Sequence, residues 1–310
     1  MHQTLFEGAI PALVTPFRAE DAGLDLPALV ALAQRAWRRG AAAVVVGGST
    51  GEGPALRPEE HAQAVRAVAD AGVPVIAGVG APCTEAAALL AQAAERCGAA
   101  ALLCSAPPYV KPGQDGLRAH VRAVAAASGL PVVLYDVPSR AGVAFADETI
   151  ARLHEANLVH ALKDATGDLS RVPRLRALCG AGLPQLSGDD ATALAHLAMG
   201  GSGCVSVSAN LVPALCAALQ GAWRAGDLAR AGALRDRLAP LDAALFVESN
   251  PIPVKAALGL LRLCDPVPRL PLTRAGQPTL AHLARILGEV MAAEEAEARA
   301  MAAGRPRVAA

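Results

Sequence analysis

The stretch RRGAAAVVV at residues 38–46 contains the predicted end of a helix, then a glycine, then a short apolar run. The same order recurs four more times, as DAGVPVIAG, RCGAAALLC, ASGLPVVLY and GGSGCVSV at residues 70–78, 96–104, 127–135 and 200–207. Glycine commonly follows a helix, because the backbone there turns into the left-handed region. Short, continuously apolar runs are typical of parallel strands buried on both faces. The repeat therefore predicts helices that alternate with buried parallel strands.

Three further segments, at residues 9–14, 158–163 and 184–187, bring the number of predicted strands to eight. Helix starts are indicated between the strands by a possible N-cap or a first-turn proline or acid, at Asp25, Pro58, Thr84 and Asp147. Strict alternation of this kind favours a (β/α)8 TIM barrel over a doubly wound sheet.

After Gly226 the alternation stops. Residues 227–241, 253–263 and 280–301 have the pattern of helices, and the last residues, GRPRVAA, are predicted to be a loose tail. We therefore expect a barrel over residues 1–226 and a C-terminal helical region with its tail over residues 227–310.

Composition excludes several classes of function. The 310 residues carry 28 basic and 28 acidic side chains, so there is no net charge to favour nucleic acid or an anionic membrane as partner. No apolar stretch reaches the roughly 18 residues of a membrane span, and no signal peptide is indicated, so we expect a cytoplasmic protein. The seven cysteines contain no CxxC pair and the seven histidines no HExxH motif, which argues against a disulfide framework or a metal site.

Lysine is the most informative residue type. There are only three, at positions 111, 163 and 255, among 28 basic residues. Lys163 ends a predicted strand, and active sites of TIM barrels lie at the carboxyl ends of their strands. Burial lowers the pKa of a lysine, and the neutral amine can form a Schiff base with a carbonyl compound. An ion pair with Asp164 or Glu52 is an equally good interpretation of a buried lysine at this position.

The two tyrosines, Tyr109 and Tyr135, also fall at predicted strand ends. A phenol beside an imine can transfer protons if another hydroxyl relays to it, and Ser49 or Thr50 could serve. The alternative is that each tyrosine only packs its ring and satisfies its hydroxyl locally.

Two features could hold a carboxylate. The loop GGSTGEG at residues 47–53 lacks the lysine of a nucleotide-binding P-loop, but its backbone N–H groups near Ser49 and Thr50 could surround a small anion. Arg140 offers the bidentate geometry of a guanidinium, although an exposed surface arginine is the simpler interpretation from position alone.

Together these segments resemble one family. The chain resembles the dihydrodipicolinate synthase and N-acetylneuraminate lyase family of class I pyruvate aldolases from about residue 5 to residue 290. The segments that carry the resemblance are GAIPALVTPF, GGSTGEG, PVIAGVGA, YDVPSRAGV, ALKDATGDLSRV, LSGDDATAL, GCVSVSANLVP and LFVESNPIPVK. Any one of them alone would not be specific.

The resemblance implies roles for single residues. Lys163 would be the Schiff-base lysine for pyruvate and Tyr135 the principal acid and base. Ser49 and Tyr109 would complete a proton relay, with Tyr109 reaching into the site of a neighbouring subunit. Of the substrate-binding residues, Ser49 and Thr50 would hold the pyruvate carboxylate and Arg140 that of L-aspartate 4-semialdehyde, while Gly188 and Val205 would line the pocket.

The resemblance also implies a homotetramer, a dimer of dimers, that needs no metal and no organic cofactor. A related aldolase with a different aldehyde, such as a sugar acid, is an alternative that GGSTGEG does not exclude, whereas Arg140 favours the semialdehyde. A non-catalytic paralogue that binds a small acid is a third possibility, against which the lysine, both tyrosines and the relay hydroxyl argue.

Some positions depart from the family pattern. Ser49 stands where threonine is usual, and Asp136 where asparagine is common. Prolines occupy positions that form the regulatory lysine site in lysine-inhibited relatives, namely 54, 58, 82 and 108, and only His61 still matches. Because a proline side chain offers no hydrogen bond, we expect weak or absent feedback inhibition by lysine.

Overall fold

The computed structural model describes residues 5–304. Within them, eight parallel strands follow the order β1-β8-β7-β6-β5-β4-β3-β2. The strands are β1 Gly8–Pro11, β2 Val44–Val46, β3 Val75–Gly78, β4 Ala101–Ser105, β5 Val132–Asp136, β6 Ala161–Asp164, β7 Gln185–Ser187 and β8 Gly203–Ser206. A parallel bridge between Ala12 and Val45 joins the first strand to the second. The predicted TIM barrel is thus confirmed.

Twelve α-helices surround and extend the barrel in the same range of residues. They are α1 Leu26–Arg38, α2 Pro58–Asp70, α3 Thr84–Arg96, α4 Gln114–Ala126, α5 Pro138–Ala141, α6 Asp147–Glu155, α7 Arg171–Cys179, α8 Ala193–Ala198, α9 Pro213–Arg224, α10 Leu228–Ala244, α11 Ile252–Leu260 and α12 Gln277–Gly304. None of them combines the length and apolar character that a membrane crossing requires. Of the predicted tail over residues 304–310, Gly304 ends α12, and residues 305–310 lie outside the described part of the chain.

The helix ends follow local chemistry. Asp25 accepts a hydrogen bond from the backbone N–H of Ala28 at 3.0 Å, and Asp227 caps α10 in the same way through Arg230. Of the glycines in the repeated motif, Gly40, Gly72, Gly98 and Gly200 have positive φ as predicted. Gly129 does not, and its N–H donates instead to Glu95.

The core has two parts that follow from the alternation of side chains along each strand. One small cluster fills the barrel and includes Ile10, Val45, Ile76, Leu103 and Val133. The larger one lies between the strands and the helices and continues into the C-terminal helices. The core is built mainly from alanine, valine and leucine, as the aromatic content of 3% requires. The boundary at residue 226 stays a prediction.

Helix α10 is tied to the barrel through Ser208, which bonds to the half-buried Asp190 and to the buried Asp242. Asp190 accepts hydrogen bonds from the N–H groups of Val207 and Ser208, and the Ser208 hydroxyl donates to Asp242 of α10 at 2.5 Å. Burial, followed by the neighbouring Asp190, raises the pKa of Asp242 to about 8.

We predict that Asp242→Asn stabilises the protein at alkaline pH. A carboxyl with a pKa of about 8 when folded and about 3.9 when unfolded loses stability as the pH rises between the two values. Asparagine keeps an acceptor for Ser208 but cannot ionise. Thermal unfolding should show a Tm gain of a few degrees near pH 9 and a smaller one near pH 5. Asp236→Asn, at an exposed site on the same helix, is the control, and an equal gain at both pH values would contradict the prediction.

Candidate active site

A cavity of about 550 Å³ opens where the strands end. The barrel contributes residues from the loops after β2 to β5, and the C-terminal region contributes two short segments. The polar residues of its lining are Ser49, Glu52, Ser105, Tyr135, Arg140, Ser249, Asn250 and Arg269. Apolar walls with a few convergent polar groups are the usual composition of a small-molecule site. Three of the residues predicted from the sequence, Ser49, Tyr135 and Arg140, therefore face one space.

Strand register places a row of polar side chains across the barrel. Ser105 of β4 pairs with Tyr135 of β5, and Tyr135 pairs with Lys163 of β6. Ala101 and Leu103 point into the barrel, so alternation turns Ser105 inward as well. Ser105 was not predicted as a site residue from the sequence, although its place at the end of an apolar strand was a usable signal.

Lys163 is not itself one of the residues that line the described cavity, and only 6% of its surface is exposed. Its Nζ is 4.0 Å from the centre of the Tyr135 ring. The carboxylates proposed as ion-pair partners are bound elsewhere, because Glu52 pairs with Lys255 and Asp164 with Arg171. Within residues 5–304 no carboxylate oxygen comes within 4.0 Å of Lys163 Nζ. The ion-pair interpretation of this lysine is therefore wrong in both of its proposed forms.

The glycine-rich loop turns back on itself where it lines the cavity. Gly47 has a φ of 70°, and a Cβ at Gly53 would lie 2.1 Å from the Gly47 carbonyl oxygen. The turn is closed by the N–H of Glu52, which donates to the carbonyl of Ser49 at 3.1 Å. In the described part of the chain no hydrogen bond engages the N–H groups of Ser49 and Thr50, so they remain available to an anion.

Asn250 connects two of the predicted carboxylate-binding residues. The side-chain Nδ2 of Asn250 donates to the Thr50 hydroxyl oxygen at 2.9 Å. The backbone carbonyl of Asn250 accepts a hydrogen bond from Arg140 Nη2 at 3.2 Å. Because the Thr50 oxygen is occupied as an acceptor, its hydrogen is free to donate to a ligand. Asn250 was not predicted as a site residue from the sequence, because it follows no strand and lies 200 residues from Thr50.

The remaining predicted residues have different positions. Gly188 donates its N–H to the carbonyl of Asp164 at 2.6 Å, and a Cβ there would meet that of Ala165 at 2.7 Å. Val205 is buried inside the barrel on β8. Tyr109 does not line the cavity of its own chain. It is 91% exposed, and its φ is 76°.

Asp136 belongs to a charge network beside the site. Arg171, which is 3% exposed, donates to Asp136 at 2.7 Å and to Asp164 at 3.3 Å. Burial raises the pKa of Asp136, while Arg171 opposes that shift. The network fixes the ends of β5 and β6 on the side away from the barrel interior. It thereby supports the two strands that carry Tyr135 and Lys163.

No group of three or more metal-ligating side chains occurs between residues 5 and 304. The chemistry that the described site offers is that of an amine, a phenol, hydroxyls and a guanidinium.

Comparison with known proteins gives one consistent result. The family model described as the dihydrodipicolinate synthetase family matches residues 5–290. A 4-hydroxy-tetrahydrodipicolinate synthase of Hyphomonas neptunium is 48% identical over 274 residues, which cover 87% of this chain and 93% of the relative.

Solved structures agree with the sequence relatives. The chloride-inhibited dihydrodipicolinate synthase of Acinetobacter baumannii complexed with pyruvate is similar with a TM-score of 0.89 at 38% identity, over 92% of this chain and 99% of that one. The enzyme of Cyanidioschyzon merolae with lysine bound has a TM-score of 0.89 at 35% identity, over 93% and 99% of the two chains.

Proposed function

Because the chain belongs to the dihydrodipicolinate synthetase family, we propose that Lys163 forms a Schiff base with pyruvate in a lyase that produces 4-hydroxy-tetrahydrodipicolinate. The second substrate in this proposal is L-aspartate 4-semialdehyde. The observation that supports it most directly is the position of Lys163, buried at the barrel mouth, against the Tyr135 ring and apart from any carboxylate in residues 5–304.

The first half of the reaction activates pyruvate. The neutral Lys163 amine attacks the ketone carbon, and loss of water leaves an iminium ion. Its positive charge acidifies the adjacent methyl group, and removal of one proton gives an enamine. Tyr135 would transfer these protons, with Ser49 and the Tyr109 of a neighbouring subunit as the relay. Thr50, oriented by Asn250, would hold the carboxylate together with the free N–H groups of the loop.

The second half forms the new bonds. The enamine carbon attacks the aldehyde carbon of the semialdehyde, and the resulting alkoxide takes up a proton. The amine of the second substrate then adds to the imine carbon, closes the ring and releases Lys163. Arg140 would hold the carboxylate of the semialdehyde in the cavity that it lines. Gly188 and Val205 would line the part of the site that holds pyruvate.

Two alternatives remain distinct from this proposal. A pyruvate aldolase for a sugar-acid aldehyde would use the same Lys163 and Tyr135 but a different partner for Arg140. A non-catalytic acid-binding protein would use the loop and no amine chemistry. The free amine of Lys163 in the described structure favours an enzyme over a binding protein.

The proposed assembly is a homotetramer built from two dimers. Tyr109 supports a shared site, because an almost fully exposed tyrosine with positive φ has no function visible within its own chain. The neighbouring Val110, 59% exposed, extends the apolar surface that a second copy would cover. A cytoplasmic location stays a prediction from the sequence.

We predict that borohydride reduction in the presence of pyruvate modifies Lys163 alone. Neither the ion-paired Lys255 nor the exposed Lys111 should react. The adduct is located by peptide mass spectrometry, with Lys163→Arg as the control because an arginine forms no Schiff base under these conditions.

The second substrate is identified as the compound that reacts with the Lys163–pyruvate adduct and thereby removes it. Addition of L-aspartate 4-semialdehyde before borohydride should lower the trapped fraction and form product in an assay coupled to a downstream reductase. Discharge by a sugar-acid aldehyde alone would support the related aldolase, and no trapping at all would support the binding protein.

We predict that two inactive variants regain activity when they are mixed. In a mixed dimer of Tyr109→Phe and Lys163→Arg, one site has its own Lys163 and receives an intact Tyr109 from the other subunit. After unfolding and refolding together, equal amounts should recover about one quarter of the wild-type kcat. Recovery no greater than the sum of the two separate variants would contradict a site shared through Tyr109.

We predict weak or absent inhibition by lysine. A second cavity, of about 210 Å³, is lined by Pro58 and His61 with apolar neighbours that include Leu89 and Leu90. Burial lowers the pKa of His61, and its Nε2 is already bonded to the Gly78 carbonyl. A lysine ligand would thus find no charged side chain among these residues. Initial rates with increasing lysine provide the test, and inhibition at sub-millimolar concentration would refute the prediction.

A further inference from the structure

A second lysine is buried more completely than Lys163 and has no role in the reaction above. Lys255 on α11 has no exposed surface, and Glu52 of the glycine-rich loop is 4% exposed. The two side chains form an ion pair. Lys255 Nζ also donates to the carbonyl of Val267 at 2.9 Å and lies 4.1 Å from the centre of the Phe17 ring. Burial lowers the pKa of the Lys255 ammonium and Glu52 opposes this shift.

Glu52 occupies a backbone conformation that its residue type seldom adopts. Its φ is 52°, in the left-handed region, although it has a Cβ. Its N–H closes the turn onto Ser49, and its carbonyl accepts from the N–H of Ala55 at 2.8 Å. The course of the backbone on either side of Glu52 therefore depends on the left-handed conformation of this residue. Ser49 and Thr50 lie in the backbone that precedes it.

The carboxylate of Glu52 is held from two directions by the C-terminal region. Lys255 binds one oxygen, and the N–H of Arg269 donates to the other at 2.8 Å. The Arg269 guanidinium is itself bonded to Glu60 and to the carbonyl of Ala55, on the far side of the same loop. The C-terminal end of the loop and the residues that follow it are thus attached to the C-terminal region by charged groups.

We propose that Lys255 and Glu52 are positioning residues that hold the pyruvate-binding loop in its left-handed turn, so that Ser49 lines the cavity and the Thr50 hydroxyl stays bonded to Asn250. This inference rests on the proposed function. A buried ion pair between segments 203 residues apart is costly to desolvate, and replacement by apolar residues is often neutral for stability. A role in orienting the loop explains why the two charges are placed here.

The test uses Glu52→Gln and Lys255→Met in the full chain, with pyruvate-dependent borohydride trapping at Lys163 as readout. Each substitution should raise the pyruvate concentration for half-maximal trapping by about 10- to 100-fold, because the loop donors move away from the carboxylate. The KM for the aldehyde in the coupled assay should change by no more than about twofold, since Arg140 binds it elsewhere. Glu59→Gln, at an exposed carboxylate of α2, is the matched control.

The double variant separates positioning from folding. A single substitution leaves one buried charge without its partner, so thermal unfolding is measured for every variant. The variant that carries both Glu52→Gln and Lys255→Met contains no unpaired charge. If it is folded and its half-saturation by pyruvate is unchanged, the pair is only structural and the proposal is wrong. If its half-saturation remains raised, the positioning role is supported even where a single variant does not fold.

The same data distinguish the two levels of inference. Failure of the wild-type protein to be trapped with pyruvate would overturn the proposed function. Trapping of the wild type with unaltered half-saturation in Glu52→Gln would overturn only the role of the ion pair.

Discussion

The distribution of charged partners around the barrel mouth is the constraint on which the site depends. An amine is nucleophilic only when it is unprotonated, and a carboxylate beside it would stabilise the proton. The two acidic residues considered from the sequence as partners of Lys163 are bound by other cations, Glu52 by Lys255 and Asp164 by Arg171. Lys163 is left against a phenol ring in a mostly apolar barrel. By binding these two acids, Lys255 and Arg171 keep their carboxylates from pairing with the Lys163 amine.

The cavity has walls of two kinds. The barrel provides the strand ends, which hold Tyr135 and Lys163 in adjacent positions through backbone hydrogen bonds. The C-terminal region provides Asn250 and Arg269, which reach the glycine-rich loop across the top. A scaffold of this kind combines a rigid centre with a loop whose shape is set by side chains. The chain after residue 226 therefore takes part in the site through the segments between its helices rather than only covering the barrel.

Most of the fold could be predicted from local patterns. The helix caps at Asp25 and Asp227 and the glycines after several helices are signals that act within one turn of the chain. Strand ends were the less certain boundaries: the sixth strand was predicted over residues 158–163, and in the structure it is Ala161–Asp164. The alternation of apolar runs with helices was sufficient to predict the barrel, because few other architectures accommodate eight buried parallel strands.

Local pattern was enough to predict the barrel, the strand-end position of Lys163, and the loop and arginine that meet in the cavity, because these depend on periodicity and on residues next to one strand. Which charges pair, and which amide orients which hydroxyl, depends on segments that meet only in the folded chain. Glu52 with Lys255 and Thr50 with Asn250 are separated by 203 and 200 residues. Contacts of this kind are set by how the last helices pack on the barrel, and no local pattern encodes that geometry.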